Sequence, residues 1–458
     1  MLKNRREFIK SVGAGLLVTS IGFSKLQPET KPNKKRNILL YVTDDHGRAD
    51  AGCYGNPVIH TPGLDMLAAD GTKFTNAFCT TASCSPSRSV ILSGKHNHCN
   101  GQYGLKHGYH HFQSFDDVTT LPNILAQTGY RTTSVGKYHV APEQAFHFEQ
   151  YIPKDSPIEM AKKCDDVINS DSDKPFFLYF CTYEPHRPFR NEGSKLIDPA
   201  DVIVPSFLPD TPECRAELAR YYGSVERADK GLLELIKMLK AAGRYDDTLI
   251  IYCSDNGIAF PGAKTTVYEP GLNLPFVVRN PYSKKKNLTT DAMVSYVDIV
   301  PTILNFAGIA PQDYDLHGRS FLPAVADEHP VGFDEVYASH TFHEVTMYYP
   351  MRVLRERRYK LIWNIAHQLE YPFASDLYAS DTWQGVLNRG DKYFANRPVN
   401  DYLHRPAFEL YDLQSDPDEV NNLADDPKYA QRLTNMKAKL KAFQQKTKDP
   451  WILKWQHQ

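Results

Sequence analysis

The sequence predicts an α/β protein: one large, mostly parallel sheet covered by helices on both faces, followed by a smaller C-terminal α+β domain. Three observations carry this reading. Short, nearly continuous apolar runs alternate with helical segments, as expected for strands buried on both faces of a sheet. Polar clusters stand directly after several of these runs, where open α/β sheets place their sites. Beyond about residue 350 the alternation gives way to short strand-like pieces, many aromatic residues and one terminal helix.

The chain has 458 residues, enough for a large domain and a smaller one. Its 41% hydrophobic and 23% charged content are ordinary globular values. A formal net charge of −1 excludes a strongly basic nucleic-acid surface or a polybasic membrane patch. An anionic ligand would therefore be met by local positive charge.

Residues 1–36 are expected to be a leader and linker. Arg5 and Arg6, followed by Phe8 and Ile9, precede a weakly apolar run from Val12 to Phe23 that is too short to span a bilayer. The pattern resembles a Tat export signal, which implies a periplasmic or secreted protein. No cysteine stands just after the run, so no membrane anchor is expected. Residues 37–349 form the expected catalytic domain. In it Asn37 to Thr43, Arg131 to Val135, Pro175 to Thr182, Thr248 to Ser254 and Pro275 to Val278 read as parallel strands. A helix over Arg215 to Ala242 places Leu218, Tyr222, Val225, Leu232, Leu233, Ile236 and Leu239 on one face and stops at Gly243. Residues 350–458 form the smaller domain, with strands at Lys360 to Trp363 and Phe408 to Tyr411 and a helix near Tyr429 to Gln445. None of the eight cysteines forms a C-x-x-C pair, which argues against zinc or redox sites.

Asp44 and Asp45 follow the first strand, Lys137 and His139 the second, His186 the third, and Asp255 and Asn256 the fourth. Four clusters distant in sequence thus fall at carboxyl ends of expected parallel strands. Asp44, Asp45, Asp255 and Asn256 offer only hard oxygen ligands, which suits Ca²⁺ or Mg²⁺ over zinc. Taken singly, each pair is equally a helix cap or a turn.

The stretch from Cys84 to Gly94, C-S-P-S-R-S-V-I-L-S-G, resembles the signature of type I sulfatases. The resemblance extends to Gly136-Lys137-Tyr138-His139, Pro185-His186, Tyr221 to Leu233, and Gly262 to Pro275. It implies an alkaline-phosphatase-like fold. It further implies that a formylglycine-generating enzyme oxidises Cys84 to formylglycine (3-oxoalanine), whose hydrate is the nucleophile. Asp44, Asp45, Asp255 and Asn256 would bind Ca²⁺ together with residue 84, and Arg88 would stabilise the hydrate. Lys137 and Lys264 would hold the sulfate oxygens, His139 would take the proton from the second hydroxyl, and His186 would protonate the leaving atom.

Within the family the chain resembles the heparan N-sulfatase (sulfamidase) branch and its bacterial polysaccharide-sulfatase relatives. The stretches are Asn100 to Phe115, His343 to Arg352, Phe408 to Leu423, and Asp449 to Trp451. His343, Glu344 and Arg352 are candidates for gripping a sugar or for a domain interface, and His111 is a further substrate-contact candidate. Two departures stand out: Lys264 replaces the arginine of sulfamidases, and the segment between Pro188 and Pro205 is shorter. The expected activity is hydrolysis of sulfate from sulfated polysaccharide or oligosaccharide, with algal ulvan as one source. The alternative is N-sulfoglucosamine sulfohydrolase action on heparan-type sugars. A two-zinc phosphatase is disfavoured by Cys84 and by the lack of histidine ligands. A non-catalytic glycan binder is disfavoured because every motif position is filled.

Overall fold

The computed structural model describes residues 36–456 apart from 191 and 195; the expected leader, except Arg36, lies outside the described residues. Its main sheet has eight strands: β1 (Asn37–Thr43), β2 (Thr72–Phe78), β3 (Arg131–Gly136), β4 (Gln150–Ile152), β5 (Phe176–Cys181), β6 (Thr248–Ser254), β7 (Phe276–Arg279) and β8 (Leu288–Ser295). They lie in the order β4-β3-β5-β1-β6-β7-β2-β8. All are mutually parallel except β7, which runs antiparallel to both neighbours. This corrects the parallel reading of Pro275 to Val278. A crossover to a parallel strand needs a long connection, usually a helix. The segment between β6 and β7 holds only the helical turn Glu269–Leu272, so the chain doubles back.

Every residue of β1, β5 and β6 is buried, because helices cover both faces. Alternation along β1 sends Ile38, Leu40 and Val42 to one face, with apolar residues of the helices Cys84–Ser93, Leu121–Gln127 and Ile299–Ala307. Leu39 and Tyr41 face the other side, against Leu64, Leu67, Met160 and the Leu232–Leu239 part of the long helix Pro212–Ala241. That helix starts where Thr211 Oγ1 accepts from the Cys214 amide, and it is followed by Gly243 at φ +64°. Leu233, expected on its buried face, is half-buried, and Leu235 is buried instead. No helix among the described residues is long and apolar enough to cross a membrane.

A second, antiparallel sheet is built from β9 (Glu335–His340), β10 (Met351–Glu356), β11 (Tyr359–Asn364) and, beyond the short β12 (Tyr393–Phe394) and β13 (Arg397–Pro398) pair, β14 (Phe408–Asp412). The helix Ala430–Lys446 packs Met436 and Leu440 against its Leu354, Leu361 and Trp363. Since β9 pairs with β10, the expected boundary at residue 350 falls between two partners of one sheet.

A buried charge cluster ties this sheet to the site-bearing part of the fold. Lys360 Nζ, fully buried on β11, lies 2.7 Å from Glu419 and 3.2 Å from Glu269, and Arg355 Nε lies 3.1 Å from Glu269. Burial raises the Glu269 carboxyl, but Lys360 and Arg355 outweigh it and hold it to about 2. Removing one member of a buried pair strands the others, typically at about 3–5 kcal/mol. Lys360→Met should therefore lower unfolding free energy by about that amount in urea titrations. The double variant Lys360→Met/Glu419→Gln should recover part of the loss, and an unchanged midpoint for the single variant would refute the role.

Candidate active site

β3, β5, β1 and β6 are adjacent and parallel, so their carboxyl ends line one edge of the sheet. Lys137 and His139 leave β3, His186 leaves β5, Asp44 and Asp45 leave β1, and Asp255 and Asn256 leave β6. The turn out of β3 requires glycine. Gly136 has φ +73°, and a Cβ there would stand 2.2 Å from the Cys181 carbonyl oxygen.

β2 delivers the remaining group to this edge. After a short loop, Ser83 is the N-cap and Cys84 the first residue of the ten-residue helix Cys84–Ser93, which ends at Gly94 with φ +65°. The helix N-terminus places partial positive charge at the site. Cys84 and Arg88 are four apart and share a helix face, which is what their spacing in the motif accomplishes. Arg88 is wholly buried: its Nε donates to Asp255 Oδ2 at 2.8 Å and its Nη1 to the Lys137 carbonyl at 3.0 Å.

The ligand atoms of Asp44, Asp45, Cys84 and Asp255 all lie within 4.8 Å of one another. Lys137 Nζ donates to Asp44, and Lys264 Nζ donates to Asp45 Oδ2 at 3.1 Å and to Asp376 Oδ2 at 2.9 Å. Burial raises the Asp44 carboxyl, but Lys137 reverses the shift and holds it below its ordinary value. Asp255 is pushed up by burial and by Asp44. Asn256 donates through Nδ2 to Asp45 Oδ1 at 2.6 Å, while its Oδ1 is buried without a partner. Turning the amide exchanges the two atoms and aims an oxygen at the carboxylates, as a cation ligand requires. A buried, oxygen-rich cluster with one such orphaned acceptor is able to hold a metal ion. Burial also pushes the Cys84 thiol well above its ordinary value, so the unmodified side chain is a poor nucleophile.

An open pocket of about 640 Å³ reaches this cluster. Cys84, Asp44, Lys137 and Lys264 line it, with His139, His186, His343 and Glu344. His186 directs Nδ1 at the Arg187 carbonyl and leaves Nε2 at 3.2 Å from Lys264 Nζ. Arg187 is clamped by Glu217 of the long helix at 2.6 and 3.3 Å, which fixes that turn. His139 is held neutral by burial and by the neighbouring Lys137 and Arg88 cations. His343 Nδ1 lies 2.9 Å from Ser83 Oγ, and Glu344 accepts from the Ser375 amide and hydroxyl at 2.8 and 2.6 Å.

Two of the sequence-chosen residues are elsewhere. His111 is exposed and does not line the pocket. Arg352 is 1% exposed, donates Nε and Nη2 to Asp449 at 2.5 and 2.9 Å, and lies over the Trp451 ring. The pocket also takes in residues that sequence reasoning passed over. Asp376 and Tyr183 carry no local signal, and His107 sits unremarked among neighbouring histidines.

The chain matches known proteins over most of its length. The family model described as Sulfatase matches residues 36–309, and that described as N-sulphoglucosamine sulphohydrolase, C-terminal, matches residues 262–378. The chain is 38% identical to N-sulphoglucosamine sulphohydrolase of Homo sapiens, covering 92% of each sequence. It is 32% identical to an ulvan-active sulfatase of Formosa agariphila, covering 89% of this chain and 79% of that one. Among solved structures, a putative sulfatase of Bacteroides fragilis matches with a TM-score of 0.72 at 19% identity, over 94% and 99% of the two chains. A protein solved with its substrate D-glucosamine-2-N,6-O-disulfate matches with a TM-score of 0.69 at 21% identity, over 91% and 99%.

The two roles open to Arg352 predict different losses. With its carboxylate partner locked in the interior, Arg352→Ala should lower unfolding free energy by about 3–5 kcal/mol. KM of whatever fraction stays folded should change little. A raised KM with an unchanged melting temperature would instead mark a substrate contact.

Proposed function

The chain belongs to the sulfatase family of hydrolases of sulfate esters or sulfamates, and on that premise we propose that it releases sulfate from N-sulfated glucosamine units of a saccharide. One observation carries the choice of sugar. The match to N-sulphoglucosamine sulphohydrolase, C-terminal, over residues 262–378 spans Lys264, His343, Glu344, Ser375 and Asp376, the part of the pocket wall that comes from beyond β6. A second reading, O-sulfated polysaccharide such as ulvan, is favoured by Lys264. Its ammonium binds an oxyanion as a point charge, where sulfamidases use the fork of an arginine. The ulvan-active relative supports it too.

Charge arithmetic supports a divalent metal and a singly charged substrate group. Arg88, Lys137 and Lys264 face Asp44, Asp45, Asp255 and the half-buried Asp376, leaving one net negative charge in the cluster. A divalent cation turns this into one positive charge, which a sulfate monoester or sulfamate neutralises. Oxygen-only ligation by Asp44, Asp45, Asp255 and Asn256 suits Ca²⁺. Bound there, the ion would polarise the sulfate oxygens. Oxidised to formylglycine, residue 84 would supply a hydrate that attacks sulfur with one hydroxyl and expels sulfate as the aldehyde re-forms.

The chain's own side chains serve the remaining steps. Lys137 and Lys264 bring positive charge to the floor of the pocket, where negative charge develops. His139, half-buried and neutral, takes a proton from the second hydroxyl. His186 presents Nε2 to the pocket, and in the imidazolium form that nitrogen protonates the departing nitrogen or oxygen. Arg88 keeps Asp255 in place beside the residue-84 side chain. The leader-like N-terminal segment supports export, with maturation by a formylglycine-generating enzyme before it.

Sulfate release is the decisive assay, run on enzyme in which mass spectrometry finds formylglycine at position 84. Release from glucosamine N-sulfate and none from sulfated ulvan fragments is the expected outcome, and the reverse would establish the O-sulfatase reading. Cys84→Ala should abolish release from either. Chelation should abolish activity and Ca²⁺ should restore it; full activity after exhaustive chelation would overturn the metal assignment.

A further inference from the structure

His107 Nδ1 lies 2.7 Å from His139 Nε2, with ring centroids 4.9 Å apart. Two imidazole nitrogens at that distance share one proton, so one ring must donate and the other accept. The other nitrogen of His139, Nδ1, is buried, has no partner, and belongs to a ring that lines the pocket with Cys84. His107 itself is exposed at the mouth of the same pocket. A chain of exchangeable nitrogens therefore runs from the interior of the site to solvent.

The loop carrying His107 is pinned. The Lys106 amide donates to Ser85 Oγ of the Cys84–Ser93 helix at 3.1 Å, and the Leu105 amide to the His343 carbonyl at 2.9 Å. Gln102 Nε2 ties the carbonyls of Gly104 and Phe112 together, each at 2.8 Å. Across the pair, His139 sits at φ +51°, a left-handed conformation unusual for a non-glycine residue, so its ring direction is imposed by the fold. The groups facing the two rings are His110, in edge contact with His107, the His186 imidazole, and the cations Lys137, Arg88 and Lys264. Lys137 and Arg88 disfavour a lasting positive charge on His139, so a proton arriving there is passed on more readily than it is kept.

Resting on the sulfatase reading above, we infer that His107 is a positioning residue that completes a two-histidine proton relay from the nucleophile at position 84 to solvent. At rest His139 Nε2–H donates to His107 Nδ1, which leaves His139 Nδ1 as the free base. When the second hydroxyl of the hydrate gives its proton to His139 Nδ1, the Nε2 proton passes to His107 Nδ1. His107 then loses its Nε2 proton to water. The O–H bond broken at the hydrate supplies the electron pair that re-forms the carbonyl as sulfate leaves, and the net proton appears in solvent. Both rings end in the opposite tautomer and return through exchange with water.

The test uses the full-length, formylglycine-bearing enzyme with His107→Gln and His107→Ala. Glutamine keeps an acceptor for His139 Nε2–H but cannot pass a proton on; alanine leaves a space that free imidazole can enter. Both variants should keep the melting temperature and KM of the wild type and lose kcat by roughly 10- to 100-fold, as a general acid–base contribution would. Added imidazole should restore the alanine variant in proportion to its unprotonated fraction and leave the glutamine variant unchanged. Wild-type kcat in either variant, a change confined to KM, or failure of imidazole to rescue His107→Ala would each overturn the relay while leaving the sulfatase assignment standing. A wild type that carries the aldehyde and releases no sulfate from any sulfated sugar would overturn that assignment and the relay together.

Discussion

Burial of opposed charge at one sheet edge is the constraint on which the rest of the molecule depends. Asp44, Asp45, Asp255, Arg88 and Lys264 are at most 1% exposed. Ionised groups are tolerated in such surroundings only when paired and hydrogen-bonded. Each carboxylate accordingly has a cation from a different part of the chain: Arg88 from a helix, Lys137 from the end of β3, Lys264 from the loop after β6. A set this balanced is costly to assemble and is poised to take a divalent cation and an anion together. Its rigidity comes from packing on either side of the sheet, which leaves these side chains few alternative positions.

The parallel topology explains how such a set can be assembled. In a parallel sheet the strands all point the same way, so the residue after each strand arrives at the same edge whatever its distance in sequence. Asp44 and Asp255 are brought together because β1 and β6 are neighbours in register, with Thr43 opposite Ser254. The reversal of β7 and the return of β2 then place the Cys84–Ser93 helix with its N-terminus at that edge. The C-terminal sheet contributes less to the floor and more to the wall. Its connections bring His343, Glu344 and Asp376 over the pocket; Lys360 and Arg355 pair with Glu269 and tie the C-terminal sheet to the segment after β6, while Arg352 and Asp449 pair inside the C-terminal part. Side chains that could be mistaken for ligand contacts thus serve to keep the wall in place.

Legibility in the sequence followed burial. β1 and β6 were readable to the residue because each is buried on both faces and therefore apolar throughout. β2 and β8 were not, since Thr72-Lys73-Phe74-Thr75-Asn76 and Leu288-Thr289-Thr290-Asp291 mix polar residues into strands near the sheet border. The chemistry at the strand ends was readable because adjacent polar residues interrupt apolar runs there. Asp376 and His107 were not readable: one is a single residue in the helical turn Ser375–Tyr378 and the other a single residue on a loop, and nothing local distinguishes either from a solvated one.

By itself, the sequence determined the α/β class, the central strands and the identity of the groups that could carry charge, metal and nucleophile, because these depend on local pattern and on residue chemistry. Only the tertiary structure decided that β7 turns back, that Arg352 serves Asp449 and the interior, that Asp376 holds Lys264, and that His107 meets His139. Those outcomes are set by contacts between segments tens to hundreds of residues apart, where distance, burial and the partner already present decide what a side chain does.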